Sequence, residues 1–314
     1  MALFKKVEET KTALKVLAFG ASGSGKTTFA LSFNDIVAID AEAGMDFYKG
    51  NKNLKYILNT TSADELEEAM EEIEDELMEE IGTLVIDSET KIYENQQHSA
   101  LNLVEKRARK KGQDIQDANI SQREWGKIKM ISKRMQSAKI KLSSMGVNIV
   151  SIAQMKEIKE KKGDQFVVVG YAPDAGKGIE YDYDVVLRLF TEKDKNGEEK
   201  YKAEICKDRT GVFKKGQIIE NPKYSMWKSV IDGKANAKEN ILDFAKDIDK
   251  DESILKAEIE TTEELAEEIK ELIKLSSDKS SIKDYFSKNG IDVKNIAASD
   301  PKTLTDAIKF IKSL

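Results

Sequence analysis

The octapeptide GASGSGKT at residues 20–27 is the feature that most limits how this chain can fold. It follows the apolar run KVLAF and precedes a segment in which Phe29 and Phe33 have helical spacing. Its glycines let successive backbone N–H groups surround phosphates, and the helix that follows adds the positive end of its dipole. In such a loop the lysine reaches the β- and γ-phosphate oxygens, and the next hydroxyl binds Mg²⁺. The pattern therefore predicts a P-loop, with ATP and Mg²⁺ as cofactors.

A P-loop needs a second acid at the end of a neighbouring strand, where it holds the Mg²⁺ through water. The stretch TLVIDS supplies Asp87 after three apolar residues. We therefore expect Thr27 and Asp87 to form the metal site. The predicted nucleotide-binding residues are Gly20, Ser22, Gly23, Ser24, Gly25, Lys26, Thr27 and Thr28.

Short apolar runs rich in β-branched residues recur in the first two thirds of the chain. Their continuous hydrophobicity is typical of strands that are buried on both faces of a sheet. Helical patterns separate them, including a stripe of apolar residues over 121–144 and a capping box at Ser62 and Glu65. This alternation predicts an α/β fold with a mostly parallel sheet, and a turn at 196–197 predicts an antiparallel extension. The runs lie at 15–19, 35–40, 83–88, 147–153 and 184–190.

The composition changes near residue 233 to a polar and charge-rich stretch. Beyond it, apolar faces indicate about three helices, the last of which has Asp300 as its cap and Pro301 at its first position. We expect an ATPase domain at 1–233, a helix and charged linker at 234–260, and a small helical domain at 261–314.

The overall charge and the rare residues exclude several classes of protein. The net charge is −6, so nucleic acid could bind only through local basic patches. A single cysteine and a single histidine exclude a disulfide framework and a Cys/His zinc site. The first residues soon become charged and no apolar run is long enough to span a bilayer. We expect a soluble cytoplasmic protein without a membrane partner.

Three stretches, VAIDAEAGMDF, VSIAQMK and KAEICKDRTGVF, resemble the RecA family of recombinases. The resemblance covers roughly residues 12–215 and is closest to small phage-encoded RecA-like ATPases of single-strand annealing and recombination. It implies a RecA-like P-loop core. In the first stretch, the Asp-x-Glu pattern corresponds to Asp40 and Glu42, and the glutamate would orient the attacking water. Glu89, which lies just beyond Asp87, is the competing candidate for this role.

The other two stretches imply further catalytic roles beside that of Lys26. Gln154 corresponds to the glutamine that senses the γ-phosphate and precedes the second DNA-binding loop of the family. Lys207 and Arg209 correspond to a pair that reaches into the active site of a neighbouring subunit, so the resemblance implies a homo-oligomer.

In the RecA family two mobile loops bind single-stranded DNA, and the resemblance places them between Asp87 and residue 121 and at about 156–182. Both segments contain cations that suit phosphate contacts, although the first cluster could equally be a solvated helix end and the second a plain surface hairpin. The predicted DNA-binding residues are Arg107, Arg109, Lys110, Lys111, Lys159, Lys161, Lys162 and Lys177.

Together these features predict an oligomeric, Mg²⁺-dependent ATPase that binds single-stranded DNA and promotes annealing or strand exchange, in a host cytoplasm if it is phage-encoded. Whether it forms a ring or a filament is left open, and its C-terminal helices could bind a single-strand-binding protein. The alternatives are a hexameric motor of the replicative-helicase type, a P-loop small-molecule kinase, and a scaffold that ATP switches with negligible turnover.

Overall fold

The computed structural model describes residues 13–112, 114–115, 118–231, 242, 244–259, 262–276 and 278–314. The chain divides into two compact units, residues 1–242 and 243–314. In the described part of the chain, no helix is both long enough and apolar enough to cross a membrane.

The first unit is built on a nine-stranded sheet. The strands are β1 (Lys15–Gly20), β2 (Ile36–Asp40), β3 (Leu54–Leu58), β4 (Thr83–Asp87), β5 (Asn148–Lys162), β6 (Gln165–Asp174), β7 (Val185–Lys193), β8 (Glu199–Asp208) and β9 (Ile218–Glu220). Their order across the sheet is β3-β2-β4-β5-β1-β7-β8-β9, and β6 pairs with the outer part of β5.

The strands from β3 to β7 in this order are parallel, whereas β8, β9 and β6 are antiparallel to their partners. The register places Gly20 beside Gln154 and Asp40 beside Asp87. The last residues of β1, β2 and β4 therefore lie at one edge of the sheet, the carboxyl edge, where α/β folds bind their ligands.

Helices cover both faces of the sheet. They are α1 (Lys26–Ala30), α2 (Ala63–Glu72), α3 (Glu89–Lys110), α4 (Gln122–Ser144) and α5 (Lys228–Ile231). One apolar core includes Phe29 of α1 and the fully buried Trp227, and the other includes Leu66 of α2, Ile92 of α3 and Met135 of α4. Burial on both faces explains why the strands are continuously hydrophobic.

Capping residues start two of these helices at the expected positions. The Ser62 hydroxyl accepts a hydrogen bond from the amide of Glu65 at 3.3 Å, and α2 continues into a π-helical turn over Ile73–Leu77. Ser121 and Glu124 form a capping box at the start of α4. Side chains that satisfy the free N–H groups of a first turn fix where a helix begins.

Two segments differ from the expected mobile loops. The region after Asp87 is largely the helix α3, whose polar sequence obscured its periodicity. The segment at 156–182 is a regular β-hairpin of β5 and β6 as far as Asp174, because cross-strand pairs run without a break except for one bulge after Ile158. For most of both segments the structure therefore has the alternatives that the sequence left open, a helix end and a surface hairpin, and not mobile loops.

The second unit is helical in its described residues. Its helices are α6 (Phe244–Ile259), α7 (Thr262–Leu275), α8 (Lys279–Lys288) and α9 (Pro301–Lys312). Leu265, Ile269, Phe286, Leu304 and Ile308 form a separate core. Asp300 caps α9 by accepting a hydrogen bond from the amide of Thr303 at 3.0 Å.

The domain limits predicted at residues 233 and 260 stay predictions, since 232–241, 260 and 261 lie outside the described residues. Within the segment 234–260, which was predicted to be a helix and linker, residues 244–259 are helical. The predicted fold class, a mostly parallel α/β sheet with an antiparallel extension and a helical C-terminal region, is confirmed.

Candidate nucleotide-binding site

The P-loop joins the end of β1 to the start of α1, as its sequence predicts. Gly23 and Gly25 have φ angles of 74° and 86°, a left-handed conformation that glycine adopts without strain. A Cβ atom on Gly25 would lie 2.8 Å from the ring of Tyr201, and one on Gly20 would lie 2.3 Å from the carbonyl oxygen of Leu189. Backbone angle therefore restricts residue 23 to glycine, space restricts residue 20, and both restrict residue 25.

Ser24 offers the clearest sign that this loop fits a phosphate. Its Oγ is buried and has no hydrogen-bond partner among the residues that the structure describes. Leaving a buried hydroxyl unpaired costs free energy, so such a group is usually satisfied by a ligand or water. A nucleotide phosphate in the loop would satisfy it.

Lys26 lies folded against the P-loop. Its Nζ donates hydrogen bonds to the carbonyl oxygens of Gly20 at 3.0 Å and Ala21 at 2.8 Å. Burial lowers the pKa of Lys26, and the nearby carboxylates of Asp87 and Glu42 partly oppose that shift. The ammonium group thus lies close to the loop and to two acids at the same edge.

Thr27 and Asp87, the predicted metal pair, are in direct contact. The Thr27 hydroxyl donates a hydrogen bond of 2.7 Å to Oδ2 of Asp87, which is buried. Burial raises the pKa of Asp87 to about 6; the Thr27 hydrogen bond and Lys26 lower it, whereas Glu42 and Asp40 raise it. A hydroxyl beside a carboxylate is a donor set that suits Mg²⁺, and the cation's charge would favour the ionised acid.

Glu42 lies in the loop after β2, which Asp40 holds in place. The Asp40 carboxylate accepts hydrogen bonds from the amides of Glu42 at 3.2 Å, Gly44 at 3.2 Å and Met45 at 2.7 Å. These three bonds fold the loop back over the carboxyl edge of the sheet. The role of Asp40 in shaping this loop was not expected from the sequence, although aspartate commonly accepts hydrogen bonds from amides that follow it.

The Glu42 carboxylate contacts the ends of two other strands. Its Oε1 accepts hydrogen bonds from the Ser88 hydroxyl at 2.6 Å and from Nε2 of Gln154 at 3.1 Å. Gln154 is the last residue of β5 that pairs with the parallel strand β1, and it is the first that pairs with β6. Its backbone N–H donates a hydrogen bond of 2.8 Å to Oγ1 of Thr90. The structure therefore brings Lys26, Asp87, Glu42 and Gln154 to one edge of the sheet.

Glu89 occupies a different environment. It is buried and forms an ion pair with the equally buried Lys139 of α4, and its Oε1 accepts hydrogen bonds from Ser151 at 2.5 Å and Tyr183 at 3.4 Å. A lysine within the apolar stripe of α4, between Met135 and Leu142, was the available signal for a buried acidic partner. This pairing occupies the Glu89 carboxylate inside the core.

Lys207 and Arg209 lie on the same side of the chain at the end of β8. Nζ of Lys207 donates hydrogen bonds to the carbonyl oxygens of Glu180 at 2.9 Å and Tyr181 at 3.0 Å, and Nη2 of Arg209 donates to that of Tyr181 at 3.3 Å. Burial, and next the charge of Arg209, lower the pKa of Lys207.

The register separates this pair from the P-loop of the same chain. The backbone amide of Arg209 donates a hydrogen bond to the carbonyl oxygen of Asp184. The backbone amide of Asp184 in turn donates one to the carbonyl oxygen of Lys15, at the start of β1. The P-loop begins at the other end of β1, a strand length of about 16 Å away at ~3.3 Å per residue. The two cations therefore lie at the amino edge of the sheet.

The predicted DNA-binding residues fall into three places. Arg107, Arg109 and Lys110 are in the last turn of α3, and Lys111 follows it; Arg107 forms an ion pair of 2.9 Å with Glu124. Lys159, Lys161 and Lys162 are on the β5–β6 hairpin, and Lys177 lies beyond the end of β6. The structure does not bring these cations together into one patch.

On the hairpin, side chains alternate between two faces. Lys159 and Lys161 share a face with the cross-strand residue Phe166, whose surface is 70% exposed, whereas Lys162 lies on the other face beside Gln165. Tyr171, nearer the core, has the Arg188 guanidinium 5.1 Å from its ring centre. One face thus combines the exposed ring of Phe166 with two lysines, of which Lys159 forms an ion pair of 2.9 Å with Glu157.

Comparison with known proteins gives a family model and similar solved structures. The model of the AAA domain family matches residues 12–218, which is about two thirds of the chain. Among solved structures, the chain is similar to the crystal structure of the RadB recombinase, with a TM-score of 0.42 and 13% identity over 67% of this chain and 87% of that one. No curated protein matches the chain.

Proposed function

Because the chain belongs to the AAA domain family and is an ATPase, we propose that it is an oligomeric, Mg²⁺-dependent enzyme that binds single-stranded DNA and promotes its annealing or exchange. The main support is the contact between Glu42 and Gln154, which links the edge that holds the nucleotide to the base of the β5–β6 hairpin. We also propose that it is of the phage-encoded RecA-like type.

Each residue at the carboxyl edge has a distinct part in hydrolysis. Thr27 and Asp87 would hold the Mg²⁺, which neutralises charge on the β- and γ-phosphates. Lys26 would place its ammonium on the γ-phosphate, and Glu42 would orient a water molecule for attack. Ser88 and Gln154, which donate hydrogen bonds to Glu42, fix the direction of its carboxylate.

Gln154 would couple the ATP site to the DNA-binding hairpin. Its side chain contacts Glu42, while its backbone begins the hairpin by pairing with Asp174. A shift of the hairpin on DNA would therefore displace the amide group that orients the catalytic carboxylate. This mechanism makes ATP turnover sensitive to DNA through one side chain.

The cations at the amino edge favour an oligomer. Lys207 and Arg209 lie about a strand length from their own P-loop, so they would complete the site of an adjacent subunit, where such fingers contribute about 10³–10⁵-fold to turnover. In their own chain they contact backbone carbonyl groups. Ring and filament both satisfy this arrangement.

The exposed hairpin face is the proposed principal DNA surface. Base stacking on Phe166 and phosphate contacts from Lys159 and Lys161 require no particular sequence, as annealing demands. The cluster at the end of α3 would add phosphate contacts. The helical second unit would bind a partner such as a single-strand-binding protein.

Two assays on the full chain test the proposal. ATP turnover is measured with and without poly(dT), and the annealing of two complementary fluorescent strands is followed with ATP present. We expect DNA to stimulate turnover and the protein to accelerate annealing, and Lys26→Ala to remove the stimulated turnover. Unwinding of a forked duplex would instead identify a motor, and a phosphorylated small product would identify a kinase.

A further inference from the structure

A cavity of about 650 Å³ lies away from the P-loop, between α3, α4 and the segment 176–182 that leads to β7. It is within the size range of sites that bind small molecules. No P-loop residue lines it. The ATPase mechanism above uses none of its open surface.

The cavity is lined by three lysines, Lys129 and Lys133 of α4 and Lys177 of the 176–182 segment. In the part of the chain that the structure describes, none of these three forms an ion pair. Of the two acids in the lining, Glu89 is neutralised by its buried pairing with Lys139, which leaves Asp182. The surroundings therefore favour an anion.

Aromatic side chains flank the same cavity. Trp125 at the start of α4 is 43% exposed, and Tyr181 is 72% exposed. Exposed aromatic rings beside unpaired lysines are the combination that binds single-stranded nucleic acid, because rings stack on bases while ammonium groups contact phosphates.

Residues at the end of β8 hold the backbone of Tyr181 in place. Its carbonyl oxygen accepts hydrogen bonds from Lys207 at 3.0 Å and Arg209 at 3.3 Å, and Gly178, with a φ of 83°, begins the short helical turn that contains it. Because these contacts already hold the segment 176–182, it loses little conformational entropy when a ligand binds.

We propose that this cavity binds one base of single-stranded DNA, with its flanking phosphates on Lys129, Lys133 and Lys177. It would be a second DNA contact, separate from the hairpin face. The inference rests on the proposed function only in taking DNA as the partner, because the cavity lies outside the ATP site and can be tested without turnover.

The two tryptophans of the chain allow a direct test. Trp227 is fully buried, with Phe213 at 5.2 Å and Phe29 at 6.4 Å between ring centres, so a small DNA ligand can quench only Trp125. A deoxythymidine trinucleotide is titrated into the full chain while tryptophan emission is recorded. We expect saturable quenching that Trp125→Phe removes. Calorimetry should show that Trp125→Ala, which has no ring, binds the trinucleotide about 5- to 150-fold more weakly than the wild type.

Charge variants on α4 supply a matched control. Lys129→Gln/Lys133→Gln removes two cations from the cavity, whereas Arg123→Gln/Lys127→Gln removes two from other parts of the same helix. We expect the first pair to weaken trinucleotide binding at least tenfold and to reduce the salt slope by about 1.4, at ~0.7 per phosphate contact. The control pair should change both by less than twofold, and basal ATP turnover should persist in both.

Several results would overturn the inference. If the wild type binds poly(dT) but the trinucleotide leaves Trp125 emission unchanged, the cavity is not a DNA site although the proposed function stands. If both double variants weaken trinucleotide binding equally, the lysines act only through the overall charge of the protein and not through a site in the cavity. Emission that depends on protein concentration and not on DNA would make the cavity a contact between copies. If poly(dT) itself fails to bind, the proposed function is wrong. The inference about the cavity then holds only if the trinucleotide still quenches Trp125 emission.

Discussion

The two edges of the central sheet hold cations in contrasting surroundings. At the carboxyl edge Lys26 lies close to Asp87 and Glu42, and its charge is partly balanced by theirs. At the amino edge Lys207 and Arg209 contact mainly backbone carbonyl groups, with Asp184 at 3.6 Å from the arginine. The residues at the first edge suit an anionic ligand together with a metal, whereas the second edge offers cations that lie too far from the P-loop of their own chain. Our proposal that one site is divided between two subunits would account for both.

The largest effect is expected at the carboxyl edge itself. Lys26→Ala should reduce ATP turnover by about 10³-fold or more, because it removes the cation that balances charge on the transferring phosphate. The side chain belongs to neither apolar core, so thermal unfolding should stay close to that of the wild type. Unchanged hydrolysis in a folded variant would contradict the P-loop assignment.

The next effect separates the two candidate carboxylates. Glu42→Gln should bind ATP yet hydrolyse it about 10²-fold more slowly, since a group that positions or activates water typically contributes 10²–10⁴-fold. Binding is followed with a fluorescent ATP analogue and turnover by phosphate release. A Glu42→Gln enzyme with normal turnover would exclude this residue as the base.

Glu89→Gln should act mainly on stability. It leaves Lys139 charged in the core without its partner, which typically costs about 3–5 kcal/mol. The free energy of unfolding in urea measures this cost, and Glu89→Gln/Lys139→Met should recover most of it. Slow hydrolysis at full stability in Glu89→Gln would assign the catalytic role to Glu89 instead.

A smaller effect concerns the pH dependence of stability. Asp87 has a folded pKa of about 6 against an ordinary value of 3.8, so in the absence of metal the folded state binds its proton more tightly. Its contribution to stability is therefore full below about pH 4 and is lost as the pH rises through about 6, a change of up to about 3 kcal/mol.

The control for this dependence is Asp87→Asn, which cannot ionise. Without Mg²⁺ and ATP, its unfolding free energy should exceed that of the wild type at pH 8 and approach it at pH 4. Parallel pH profiles for the two proteins would show that the Asp87 carboxyl is not destabilised in the fold. Added Mg²⁺ and ATP should narrow the difference at pH 8.

The sequence was sufficient for those parts of the molecule that local pattern determines. The strands β1, β2, β4 and β7 could be predicted because burial on both faces makes them continuously apolar, and the P-loop because its glycines are required by backbone angle. The α3 helix was missed in part because its long polar surface weakens the apolar periodicity on which helix prediction depends.

Other features depend on contacts between distant segments. The contact of Glu42 with Gln154 joins the loop after β2 to β5, and the packing of Tyr201 against Gly25 joins a hairpin to the P-loop. The length of the β5–β6 hairpin was also obscured, because its outer part is exposed on both faces and therefore lacks the apolar pattern of a buried strand. Such features depend on the order of the strands in the sheet, which cannot be predicted from local sequence patterns.

The most direct test of a site divided between subunits is the turnover of mixed variants. Arg209→Ala retains its P-loop and Lys26→Ala retains its arginine, and each should be inactive alone. If the cations act across an interface, mixing equal amounts after dissociation should restore activity at roughly a quarter of the interfaces, where an intact P-loop meets an intact arginine. No recovery despite demonstrated co-assembly, or full turnover by Arg209→Ala alone, would contradict the account.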